Sequence, residues 1–149
     1  MADNWISPTG FEDIDEAWID EIQAYDEDTL SAAKNGGIPI NSWGNLLELT
    51  HAPLNCDKVR FHAVFHPSVI NAIDLDVYYG DAWHHVYQGV YTTSTWEEKP
   101  LGGTYLVTAA RVKFYNDFDE YSRNAYIQEF DFNEVEAPPP TRRIFITHQ

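Results

Sequence analysis

The sequence predicts an antiparallel β-sandwich or barrel of seven or eight strands, with at most one short helix. Three observations carry this. Ile73, Leu75, Val77 and Tyr79 alternate with Asp74, Asp76 and Tyr78, the period of a half-buried strand. Val59, Phe61, Ala63 and Phe65 alternate in the same way with Arg60, His62 and Val64. Gly, Asn and Pro then punctuate the chain at short intervals, as turns do. No repeat is visible that would indicate a solenoid or propeller.

The elements follow in order. Residues 1–23 read as an irregular segment, with Pro8-Thr9-Gly10 as a turn. Apolar residues at 11, 14, 18 and 22 fall near helical spacing and allow one short helical stretch there. Residues 25–33 read as a loop, and Asn35-Gly36-Gly37 with Pro39 as a break. Strands are expected at 43–50 and 58–65. Gly80-Asp81 separates residues 73–79 from a second β-rich run at 83–87, and this pair tolerates the positive φ of a tight hairpin. A polar link at 92–95 leads to a short edge strand at 96–101, demoted by Pro100. Gly102-Gly103 reads as a turn. A strand follows to Tyr115 with Ala110, Val112 and Phe114 on one face, then a polar loop at 116–123. The last long strand, 124–135, should turn Tyr126, Phe130 and Phe132 inward. Residues 1–137 thus form one domain, and 138–149 a stiff triproline linker with a β-prone tail, Arg142-Arg143-Ile144-Phe145-Ile146.

The net charge is −15. Ten carboxylates precede Lys34, the first basic residue, so most of the excess lies in the amino-terminal segment. Such a surface repels phosphate backbones and anionic lipid heads, which argues against a nucleic-acid partner. It suits solubility or the capture of cations. No apolar run is long enough to span a membrane, and the first ten residues have no signal-peptide character, so an intracellular or virion-surface location is expected. Cys56 is the sole cysteine and has no adjacent basic group to activate it; it reads as inert.

Chemistry-bearing residues are few. No nucleophile elbow or phosphate-binding glycine loop occurs, so an enzyme is not expected. In Asp26-Glu27-Asp28, two carboxylates, the Ser31 hydroxyl and loop carbonyls offer the hard oxygens that Ca²⁺ requires. The alternative is a solvated acidic turn closed by side chain-to-backbone hydrogen bonds. His62 and His66 lie about 13 Å apart on a strand, too far to share a metal. Sugar recognition needs aromatic faces with a few polar groups. Loop candidates are Trp18, His51, Asn116, Phe118, Tyr121 and Arg123. The alternative for Trp18 and Tyr121 is to cap the ends of the sandwich.

Four segments, in order, resemble discoidin-like domains, also called galactose-binding-like or coagulation-factor C-type domains. AYDEDTLSA (24–32) is similar to that family's Asp-rich loop, although Glu27 stands for a Gly and Ser31 for a Thr. WGNLLELT (43–50) is similar to its Trp-led strand. IDLDVYYGDAWHHVYQG (73–89) is similar to its strand–turn–Trp–strand unit. AARVKFYN (109–116) with AYIQEFDF (125–132) is similar to its closing strands. The resemblance implies an eight-stranded jelly-roll sandwich that does not catalyse. It implies binding of glycans, lipid head groups or proteins through loops at one end. It also implies a structural Ca²⁺ at Asp26, Asp28 and Ser31, joined by Glu129 from the last strand. The expected function is therefore a glycan-binding or adhesion module. The alternative is a structural protein of a virus particle. The tail offers a route to homo-oligomers, its arginines meeting a neighbouring copy's acidic segment.

Overall fold

The computed structural model describes residues 2–64 and 70–136. They form an all-β sandwich built from ten antiparallel strands, with a single 3₁₀ turn. The strands are β1 (Trp5–Ile6), β2 (Gly10–Glu12), β3 (Trp18–Ile19), β4 (Ala33–Ile38), β5 (Ser42–Trp43), β6 (Leu47–Ala63), β7 (Ile70–Tyr79), β8 (Ala82–Gly89), β9 (Trp96–Asn116) and β10 (Arg123–Glu134). The 3₁₀ turn spans Glu21–Ala24. The tail at 138–149, with its expected role in assembly, lies outside the described residues.

The hairpin forms as its sequence requires. Tyr79 pairs with Ala82, leaving Gly80 and Asp81 as the two-residue turn. Both have positive φ, 60° and 63°, the signature of a type I′ turn. β7 then pairs with β9, and β9 with β6.

β6 and β9 pair along almost their whole length and run through both layers. The expected break at Gly102-Gly103 is not a chain reversal. β9 continues through it, and the register slips between Cys56 and Lys58 of β6. A second slip falls between Thr50 and Leu54. Unpaired residues at such bulges bend a strand without ending it, so one pair of strands serves where the sequence suggested two. Gly102 has a φ of 85°, which fits the bulge. The two layers meet across Tyr91, whose ring lies 5.8 Å from Phe61 and 5.7 Å from Phe114.

The core matches the alternation. Leu47, Leu49, Val59, Phe61, Ile73, Leu75, Val77, Val112, Phe114, Phe130 and Phe132 are all fully buried. Tyr126 departs from expectation. It is half-buried, and Ala125 and Ile127 point inward instead. A register shift between Ile127 and Glu129 flips the strand's faces, so that Phe130 and Phe132 turn inward again.

The amino-terminal segment is also corrected. The one short helical stretch is the 3₁₀ turn at Glu21–Ala24, at the end of the expected range rather than across it. Phe11 pairs with Leu49, and Trp18 with Asn35, in short strands. Asp13 explains the turn between them: its carboxylate accepts the Ala17 and Trp18 amides at 3.1 and 3.0 Å. β1 pairs with β10 through Trp5 and Asn133. Three short strands thus tie the segment to the sheet, while its carboxylates other than Glu12 lie outside them.

Candidate functional site

Two regions gather the candidate residues: the loop after β9, and the acidic loop beside β10.

Asn116 ends β9 and is fully buried. Its Nδ2 donates to the carbonyls of Ile38, Pro39 and Tyr121 at 2.9, 3.2 and 3.4 Å, and its Oδ1 accepts the Phe118 amide at 2.9 Å. It holds the 117–122 loop against the β4–β5 turn and presents no surface to a ligand. Phe118 packs on the core beneath Tyr121, the rings edge-to-face at 4.8 Å. Tyr121 is exposed. Arg123 lies over both rings, 4.8 and 4.5 Å from their centres, and its Nη2 donates to the Tyr121 hydroxyl at 3.0 Å. Its Nε is buried and meets no acceptor among the described residues.

The other two sugar candidates lie elsewhere. Trp18 is buried 6.2 Å from the Phe114 ring, with its indole N–H donated to the Asn45 carbonyl at 3.0 Å. It is a core residue with no face left for a sugar. His51 sits at the β6 bulge, stacked edge-on against Phe132. Its neighbour Thr50 pairs with Ala109, so it lies about 20 Å along the strands from Asn116. Only Asn116, Phe118, Tyr121 and Arg123 come together.

In the acidic loop Asp26, Ser31 and Glu129 come together, whereas the Asp28 carboxylate turns to the Leu30 amide and closes the loop by a side chain-to-backbone hydrogen bond. The Ser31 hydroxyl donates to Asp26 Oδ2 at 2.6 Å and lies 3.2 Å from the Asp28 carbonyl. The Asp28 amide donates to Asp26 Oδ1 at 3.1 Å, and the Leu30 amide to Asp28 Oδ1 at 2.8 Å. Glu27, with a φ of 61°, adopts the conformation for which a glycine is the easier residue. Its amide donates to Glu129 Oε2 at 2.8 Å, across 102 residues. Glu129 is buried and hydrogen-bonded to Asp26. Burial, that hydrogen bond and the negative charges of Asp131 and Asp26 push its carboxyl up to about 8. Asp26 moves the other way. Burial opposes its charge, but hydrogen bonds from Ser31, Glu129 and the backbone outweigh it and hold its carboxyl below the usual range. Burial thus favours the neutral form of Glu129, while its partners favour the charged form of Asp26. Every polar atom this set could offer a cation is an oxygen, the donor type that Ca²⁺ takes.

Sequence reasoning missed the cleft beside this loop. Arg60 stacks between Trp96 and Trp5, its guanidinium 3.8 and 4.4 Å from their ring centres, and pairs with buried Asp131 at 2.9 Å. With Glu27, Thr29 and Glu129 they line a cavity of about 170 Å³. The only signal was Arg60 on the polar face of its strand; the approach of Trp5 and Trp96 depends on distant pairings. A second group that could hold a metal, Asp74, Asp76 and His85, lies on the hairpin. Cys56 is buried, and burial pushes its thiol up to about 12, in keeping with an inert residue.

The fold is that of the discoidin-like, galactose-binding-domain-like β-sandwiches. The CBM32 of AlyQ, solved with 4,5-unsaturated mannuronic acid, superposes with a TM-score of 0.61 at 12% identity, covering 87% of this chain and 97% of that one. The family 32 CBM from C. perfringens NanJ, solved with galactose, gives 0.56 at 10%, covering 89% and 93%. Chitosan-binding module 1 from a Paenibacillus sp. IK-5 chitosanase/glucanase gives 0.59 at 12%, covering 85% and 95%. No protein-family model and no characterised protein sequence matches the chain.

Proposed function

We propose that this chain is a non-catalytic module that binds glycans through the loop after β9. The observation that carries the reading is the exposed Tyr121 ring, backed by Phe118 and braced by Arg123. A flat aromatic face beside a guanidinium offers a sugar ring both apolar C–H contact and hydrogen-bond donors. Asn116 pre-forms the loop, so little order has to be gained on binding. The solved neighbours named above are carbohydrate- or chitosan-binding modules, which supports the same reading. The virus-particle alternative gains no support from the fold.

Calcium belongs to this proposal. Asp26, the Asp28 carbonyl, Ser31 and Glu129 would hold it. Bound there, the ion would neutralise the carboxyl pair and fix the loop to β10. Screening the whole chain on a glycan array, with and without a chelator, tests the function. Retention of one glycan class by the wild type, and its loss in Tyr121→Ala, is expected. Equal retention by both proteins removes the loop from consideration.

A further inference from the structure

We propose that Asp74, Asp76 and His85 bind one divalent transition-metal ion of the zinc type on the outer face of the β7–β8 hairpin.

Strand geometry brings the three together. Asp74 and Asp76 are two apart on β7 and share a face. Leu75 pairs with Tyr87, but Asp76 pairs with His85, so β8 carries an extra residue, Val86. That bulge places His85 on the aspartates' face and sends His84 to the other, where it stacks on Tyr79 at 3.7 Å. The ligand atoms of the three residues all lie within 4.8 Å of one another.

The spacing of the imidazole from each aspartate suits a small ion. His85 Nδ1 is 3.4 Å from Asp74 Oδ1 and 3.3 Å from Asp76 Oδ1. Metal bonds of about 2.0–2.1 Å in a tetrahedron set neighbouring ligand atoms about 3.3–3.4 Å apart. The aspartates are already aimed. Arg111 Nε holds Asp76 Oδ2 at 2.9 Å and is itself stacked on Trp83; Lys113 lies 3.8 Å from Asp74 Oδ2. Outer partners of this kind fix the orientation of metal-binding carboxylates. Both Oδ1 atoms are left toward the imidazole, and Asp74 Oδ1 is buried without a hydrogen bond among the described residues. An imidazole ligand selects against Ca²⁺ and Mg²⁺, which take oxygen. His85 is 60% exposed, which leaves a coordination position open to water. The charges of Arg111 and Lys113 weaken the attraction for the ion.

The test is a calorimetric titration of the chelator-stripped whole chain with Zn²⁺ alone, together with the ring-nitrogen NMR signals of His85. One ion per chain is expected, with a shift of the His85 Nδ1 signal. His85→Ala should lower affinity at least tenfold while leaving the metal-free melting temperature and any Ca²⁺ response unchanged. Asp74→Asn supplies a second variant with the same expected loss. Equal Zn²⁺ affinity in His85→Ala and wild type, or a His85 Nδ1 that keeps its proton when Zn²⁺ is present, would show a plain ion pair and overturn the proposal.

Discussion

The Glu129 carboxyl, buried on β10, is hydrogen-bonded to the Asp26 carboxylate of the acidic loop and accepts the Glu27 amide at 2.8 Å, and burial pushes it up to about 8. The consequence for stability has a definite sign. The folded protein holds a proton on Glu129 up to about pH 8, whereas the unfolded chain releases it near 4.5. Between those values the native state binds more protons than the unfolded state, so stability falls as pH rises. In chelator, this group's contribution is fully present below pH 4.5 and lost above pH 8. Glu129→Gln should flatten the melting temperature across that window. A slope unchanged in the variant would place the proton elsewhere.

Calcium should reverse that trend, because it competes with the proton for the same oxygens. At a hundredfold excess over its dissociation constant it should stabilise the protein by about 2.7 kcal/mol. The effect should be larger at pH 8 than at pH 5, and Asp26→Ala should abolish it. Identical melting curves in calcium and chelator at pH 8 would remove the site.

Phe114 lies where Trp18 and Tyr91 converge and is wholly buried. Phe114→Ala should cost about 3–5 kcal/mol in denaturant unfolding. A loss below about 1 kcal/mol would mean the layers do not meet at this ring.

Cys56 offers a probe of local opening. Its thiol is buried and held up near 12, with its hydrogen bond given to the Lys58 carbonyl. Thiol reagents at pH 8 should react only as fast as the β6–β10 region opens, and urea should accelerate them. Immediate stoichiometric labelling would contradict the burial.

The strands that obey strict alternation were legible in the sequence, and so was the positive-φ hairpin turn at Gly80-Asp81. Bulges were not. A slip near Glu129 moves Tyr126 out and Ile127 in, and another at Val86 decides which histidine meets the aspartates. Both depend on pairing with a partner strand, which local pattern does not encode. Trp18 and Asn116 have sugar-binding residue types in stretches that read locally as loops. Their burial follows from long-range contacts with Asn45, Ile38 and Pro39. Arg60 was visible only as a polar-face residue, since its two tryptophans come from strands far apart in sequence.

The central claim is that sugars are met at the loop after β9. Its most direct test is a two-dimensional amide NMR titration with a glycan retained on the array. The account predicts shifts concentrated at residues 116–123, led by Tyr121 and Arg123, and lost in Tyr121→Ala. Shifts confined to Trp5, Arg60 and Trp96, with the 116–123 signals unmoved, would contradict it.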